Sequence, residues 1–446
     1  MKRFLKFPLL PTILTAIIIV YLSCERPAPE FGVSGEVLDN GLRVLLHEDH
    51  SVPVVSYQTF FRAGSRNERR GIRGISQLVE HMMFQGTERY GSGEFDRLLE
   101  TRGGTANAST SRDMTVYSSE FHRDLLEKVI ELEADRMRNL RFMPEDIEKE
   151  KKVLAEERLR TVDNSVRGRM REKLFNLAFK EHPYSWPEIG TARDVEALTR
   201  EDCLEYYRSR YLPANAVIVA AGDFDAAEAM ELIRVHYGSI PSGELPEDNI
   251  PGEPAQSGER RDTLDVRWRL PVLKIGFRAP PAGSEDIYPL DILQMILDGG
   301  RFSRLPSRLV SDLDIAASVS TFFPWRIDPA LFIVTVRMRE GHDTREGEEA
   351  FYSVMEEIVR DGIGDDELAG ARKMIEAGYL RGMDPISGRA RRIGRYQVLL
   401  GDYRKIYEVQ RRYRQVKAAD VVRVAEKYFR PENSNVVILM EAGSQR

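Results

Sequence analysis

Cysteine is nearly absent, with 2 in 446 residues, Cys24 and Cys203. Cys24 closes the N-terminal segment discussed below, which leaves Cys203 alone and excludes a disulfide framework. An excess of positive charge is also missing. Lys and Arg number 65 against 71 Asp and Glu, a net charge of -6, which gives no footing for nucleic-acid binding. The basic run Arg389, Arg391, Arg392, Arg395 reads as a solvated helix face. The apolar run from Phe7 to Leu22 is interrupted by Pro8 and Pro11 and falls short of the ~20 residues of a membrane-spanning helix. What is present is ordinary for a globular chain, 42% hydrophobic and 30% charged. The length calls for more than one core.

The N-terminus has the form of a targeting signal. Lys2, Arg3 and Lys6 precede the apolar run, which ends in Tyr-Leu-Ser-Cys. A small residue before cysteine resembles a bacterial lipoprotein signal, with Cys24 acylated and the chain held at the membrane by that lipid. Tyr21 departs from the commoner leucine, and ordinary secretory cleavage or an uncleaved anchor are the alternatives. In each case the chain is exported; the lipoprotein reading puts it in the bacterial envelope, facing the periplasm.

Residues 25–33 read as a linker. Strands Glu36-Leu38 and Arg43-His47 flank Asp39-Asn40-Gly41, a hairpin signal. Further strands are expected at Pro53–Arg62, Ala106–Phe121 and Asn215–Ala221. Helices are expected at His122–Leu140, Pro144–Lys180, from Thr199, and at Ala226–Tyr237. Residues 238–262, with Pro241, Pro246, Pro251 and Pro254, read as a second linker. The chain then restarts with a strand at Thr263–Ala279, a helix at Tyr288–Leu297 and strands at Ala316–Phe323 and Ala330–Met338. Tyr211-Leu212-Pro213-Ala214-Asn215 in the first half echoes Phe429-Arg430-Pro431-Glu432-Asn433 in the second. The echo implies duplication into two α+β halves, 34–237 and 263–446.

The chain is organised around Gly74–Thr87, GISQLVEHMMFQGT. Its apolar residues recur at helical spacing, so Gln77, Glu80 and His81 project from one face. A histidine at 77 would complete H-x-x-E-H, in which two histidines hold zinc and the glutamate acts as base. The sequence has Q-x-x-E-H. None of His47, His50, His122, His182, His236 and His342 lies on this helix as a substitute.

DNGLRVLLHED, FFRAGSRNE, GGTANASTSRDMTVY, EKEKKVLAEE, HPYSWPEIGT and PANAVIVAAGD, with the helix above, resemble the N-terminal half of the pitrilysin/insulinase family of zinc metallopeptidases. The likeness is to the short-chain branch that includes mitochondrial processing peptidase. The resemblance implies two similar halves, each a mainly antiparallel sheet packed with helices, facing each other as a clam shell, with the motif helix turned towards the space between them. It also implies zinc as cofactor, Glu80 as general base, His81 and Glu157 as ligands, and Glu150 as the group that orients the site. Asn107 and Ala108 match residues that bind the substrate backbone.

Two departures qualify this. A glutamine amide is a poor zinc donor beside imidazole, so metal binding should be weak or absent if Gln77 cannot ligate. The arginine and tyrosine that reach substrate from the second half align with Val310 and Ala317, and Arg308 is out of register. The expectation is a subunit that binds peptide or unfolded protein, with an impaired metal site and a second chain of the family as dimer partner. The alternative is an active zinc endopeptidase subunit completed by that partner.

Overall fold

The computed structural model describes residues 32–440 apart from 265 and 267. The targeting signal, Cys24 and residues 25–31 of the first linker lie outside the described residues.

The first half holds strands β1 (Val33–Val37), β2 (Arg43–Glu48), β3 (Val54–Phe61), β4 (Thr105–Thr110), β5 (Thr115–His122) and β6 (Ala216–Gly222). Its main helices are α1 (Ile75–Met82), α2 (Glu94–Glu100), α3 (Leu126–Arg138), α4 (Pro144–Arg158), α5 (Val166–Ala178), α6 (Ala192–Ala197), α7 (Arg200–Arg210) and α8 (Ala226–Tyr237). The second half holds β7 (Arg260–Leu264), β8 (Val272–Ala279), β9 (Ala316–Phe322), β10 (Ala330–Met338) and β11 (Ser434–Leu439). Its helices are α9 (Ile287–Asp298), α10 (Thr344–Asp361), α11 (Asp365–Met383), α12 (Ile386–Leu400), α13 (Lys405–Gln415) and α14 (Ala418–Tyr428).

The duplication holds strand by strand. The first sheet runs β1-β2-β6-β3-β5-β4 and the second β7-β11-β8-β10-β9. With β1 set aside the orders are the same, and each sheet has one parallel pair, β2 with β6 and β7 with β11. The repeated Pro-x-Asn also folds alike. Asn215 Nδ2 donates to Arg210 O at 2.7 Å and Arg62 O at 3.2 Å. Asn433 Nδ2 donates to Tyr428 O at 2.7 Å and Arg278 O at 3.1 Å.

Three expected elements are divided. Ala106–Phe121 is a hairpin, β4 and β5, turned where Ser111 N–H meets Met114 O at 2.9 Å; alternation by itself does not mark a turn inside it. Thr263–Ala279 is likewise two strands. Pro144–Lys180 breaks after a π-helical turn at Leu159–Asp163, and Ser165 caps α5 by accepting from Gly168 N–H at 3.1 Å. Residues 238–259 have no regular structure, yet they are strapped down: Glu253 accepts the amides of Lys180, Glu181 and His182 at 2.8–3.1 Å.

The halves face each other as a clam shell, and each sends a helix across. Helix α12 packs on β3 and β6, and α5 packs on β7, β8 and β11. Strand alternation separates the two faces of the first sheet. Leu45, Phe60, Val217, Val219 and Ala221 meet α12 residues Ala390, Ile393 and Val398. Val55, Tyr57, Phe61, Ile218 and Ala220 face the other way and pack with Ile75, Leu78, Val79 and Met82 of α1. The motif helix thus lies on the face away from α12, because α12 fills the face that looks towards the second half.

Candidate functional site

Helix α1 is seated by contacts distant in sequence. Gly74 has φ 92°, and a Cβ there would lie 2.8 Å from Ile189 O, so only glycine suits this start. With no side-chain cap from Gly74, the Glu68 carboxylate accepts the N–H groups of Gly74 (2.9 Å) and Ser76 (3.0 Å), and Trp186 Nε1–H (3.1 Å). Burial pushes the Glu68 carboxyl up to about 7. The inner face of α1 is sealed in the core, which leaves Gln77, Glu80 and His81 on the outer face.

These groups meet the last turns of α4 and the end of β4. His81 Nδ1 lies 3.0 Å from Glu150 Oε2, while Glu150 Oε1 accepts from Gln85 Nε2 at 2.9 Å. The Nδ1–H thus faces a carboxylate, and the carboxylate itself is held. This orients Nε2 towards Glu157, whose Oε2 is 3.8 Å away. Burial alone would lower the His81 pKa, but the Glu150 hydrogen bond and the charges of Glu80, Glu150 and Glu157 outweigh it and raise it. Glu80 turns to β4 and hydrogen-bonds Thr110. Burial raises its carboxyl above the ordinary value against the pull of Thr110 and His81.

Gln77, on the same face of α1, offers a neutral amide. Its Nε2 donates to Glu157 Oε2 at 3.0 Å, the orientation a carboxylate imposes because it can only accept. The amide N–H is thus directed at the same Glu157 oxygen that lies 3.8 Å from His81 Nε2. Two donors, His81 Nε2 and one carboxylate, do not make a three-ligand zinc site. Among the described residues no group of three or more His, Cys, Asp and Glu side chains is placed to hold a metal ion.

Among the described residues, strand β4 ends the first sheet and pairs only with β5. Asn107 and Ala108 lie at its middle on opposite faces, Asn107 exposed and Ala108 packed against the α1 core. The Ala108 N–H is taken by Asn107 Oδ1 at 2.9 Å. Val310 and Ala317 lie elsewhere. Val310 packs against the second core and Ala317 is exposed on β9. Arg308 is paired with Glu357 at 2.7 Å.

Glu68, Gln85 and Thr110 were not singled out from the sequence. Each lies in or beside a segment that was, FFRAGSRNE, the motif helix and GGTANAST. Their roles depend on contacts that spacing within one segment does not reveal.

Comparison with known proteins bears on the family and the fold. The family described as "Insulinase (Peptidase family M16)" matches residues 43–192, and "Peptidase M16 inactive domain" matches residues 197–375. A zinc protease, PqqE, of Helicobacter pylori is 29% identical over 438 residues, covering 96% of this chain and 97% of its own. A probable mitochondrial-processing peptidase subunit beta of Arabidopsis thaliana is 27% identical over 416 residues, 90% of this chain and 77% of its own. A crystal structure of a Helicobacter pylori protease superposes with a TM-score of 0.86 at 29% identity, over 92% of this chain and 99% of that one.

Proposed function

The chain belongs to the insulinase (M16) peptidase family, and from that premise we propose that it is the peptide-binding subunit of a two-chain assembly and does not itself hold catalytic zinc. One observation carries the reading: the Gln77 amide N–H, at 3.0 Å from Glu157, closes the ligand carboxylate with a neutral donor. A peptide would add to the free edge of β4, its carbonyl taking the Ala108 N–H from Asn107 Oδ1. The polar groups of α1 touch only first-half residues, which leaves their outer side for a partner chain of the same family. The N-terminal signal supports export and anchoring through Cys24.

The reading of an active subunit completed by a partner has its own support, since Glu80, His81 and Glu150 keep the arrangement such chemistry uses. One experiment decides between them. Zinc content and peptide cleavage are measured for the wild type and Gln77→His, each with and without a partner chain. We expect substoichiometric zinc and no cleavage from the wild type alone, and one zinc per chain in Gln77→His. Tight stoichiometric zinc in the wild type would overturn the proposal.

A further inference from the structure

The basic run on α12 is exposed at Arg391 and Arg395, as its sequence suggests, and half-buried at Arg389 and Arg392. Arg391, Arg392 and Arg395 line a cleft of about 830 Å³ where α12 leaves the second half for the first. Arg326, from the β9–β10 connection, lines it as well. Arg392 lies over the Tyr379 ring, and Arg326 reaches Asp113 of the first half at 3.5 Å. Arg391 and Arg395 have no hydrogen-bond or ion-pair partner among the described residues. The rest of the wall is largely apolar and aromatic, with Trp325, Tyr396 and Leu399 prominent. Its carboxylate, Asp291, is already engaged by Trp325 Nε1 at 3.0 Å and by the Tyr413 hydroxyl. Four guanidinium groups thus share a partly enclosed space with two carboxyl groups near them, Asp113 and Asp291, and such an excess of positive charge draws in an anion. The volume lies within the range of ligand pockets, roughly 300–1,000 Å³.

The position narrows the anion. Ser111 lines the cleft and directly follows Thr110, the last residue of edge strand β4. A peptide laid along β4 and continued past its end arrives at the cleft. We propose that this cleft anchors a carboxylate of the bound peptide, a C-terminus or an acidic side chain, beside an apolar or aromatic residue. Arg391 and Arg395 take the carboxylate, and Trp325 and Tyr396 the apolar group. The proposal rests on the reading that peptides bind along β4, but it adds a residue preference that β4 cannot supply, since backbone pairing does not read side chains.

The test uses full-length chain and four fluorescein-labelled octapeptides of one neutral sequence. They end in Glu-Phe or Gln-Phe, each as free acid and as amide, and binding is followed by anisotropy. The wild type should bind at least one acid form about tenfold more tightly than the Gln-Phe amide, the strength of a charge-assisted pair. The four arms separate a terminal from a side-chain carboxylate. Arg391→Ala with Arg395→Ala should erase that preference and leave the amide's Kd within about twofold. Ala108→Pro removes an edge N–H that the sheet does not use, and should weaken all four peptides alike. If it weakens none while the acid preference persists, the β4 reading fails and the cleft stands. Equal binding of acid and amide forms in the wild type, no binding at all, or a preference surviving the double arginine variant would overturn the proposal.

Discussion

The two halves share one sheet topology, β1 aside, and differ in the helix that follows β3 and its counterpart β8. In the first half this is α1, 8 residues long, with one apolar face and one polar face. In the second it is α9, 12 residues long and buried at Ile287, Pro289, Leu290, Ile292, Leu293, Ile296 and Leu297. Asp291, Gln294 and Asp298 recur along one half-buried face of α9, but the two carboxyls are tied to Trp325 Nε1, the Tyr413 hydroxyl and Thr321 N–H. The same scaffold thus carries a histidine among carboxylates in one copy and a wider apolar stripe with two tied carboxyls in the other. Exposed chemistry in the second half falls instead to α12, which crosses over. Duplication supplied two sheets, and the choice of side chains on one helix decided which sheet can carry a site.

The crossing helices give the largest test of the comparison, because the two seams are built in opposite ways. On α12 the glycine belongs to the helix: a Cβ at Gly394 would lie 2.1 Å from the Phe60 ring, itself fully buried. Under α5 the glycine belongs to the strand: a Cβ at Gly276 would meet the Leu174 and Leu331 methyls at 3.2 Å. Gly394→Ala gains about 1 kcal/mol of helix propensity. It must also displace a locked ring, at a cost on the order of 4–5 kcal/mol, near the upper end for overpacking. Gly276→Ala asks only that flexible ends move by tenths of an ångström and should change stability by less than about 1 kcal/mol. Urea unfolding of both variants measures the difference; equal costs would mean the seams are not opposed.

The first half holds a buried carboxyl, Glu68, and the second a half-buried one, Asp291, and pH tests whether they behave alike. Burial pushes both Glu68 and Asp291 up to about 7. In the unfolded chain they titrate near 4. Between those values the folded state keeps protons the unfolded state has lost. Their contribution is therefore complete below about pH 4 and is lost as pH rises through 7. A rise of that size corresponds to about 4 kcal/mol per group; relaxation around the charge should halve this to about 2 kcal/mol. Asp291→Asn and Glu68→Gln should each flatten that fall relative to wild type. A variant whose stability runs parallel to wild type from pH 4 to 7.5 would show its carboxyl ionised throughout.

The polar face of α1 was legible because helical period alone puts residues 77, 80 and 81 together. The place of Glu157 came with the family resemblance, since no local pattern ties it to His81. The duplication was legible in Pro-x-Asn, where a short motif builds its own turn. The crossing of α12 was not: Ala390, Ile393 and Val398 declare an apolar face but not which sheet it covers. The arginine cleft was missed for the same reason. Arg391 and Arg395 do remain exposed; what the spacing hides is that α9, α13 and the β9–β10 connection stand as a wall beside them. Glu68 as the cap of α1 needed Trp186, more than a hundred residues away, to be seen.

The smallest expected effect concerns the feature in which the halves agree best. Asn215 and Asn433 each tie a helix end to a neighbouring strand by two N–H···O bonds of matching length. Alanine at either position removes both donors and leaves two carbonyls to find water. Asn215 is buried, 6% exposed, whereas the Asn433 end is half-buried. Water reaches the second pair of carbonyls more readily, so the desolvation penalty there is smaller. Asn215→Ala should cost about 1.5 kcal/mol and Asn433→Ala about 0.7 kcal/mol, within the range for hydrogen bonds lost with and without solvent replacement. Chemical denaturation resolves the two if the slope with denaturant stays unchanged. A larger loss at Asn433 than at Asn215 would mean that burial is not what separates the two halves at their most similar point.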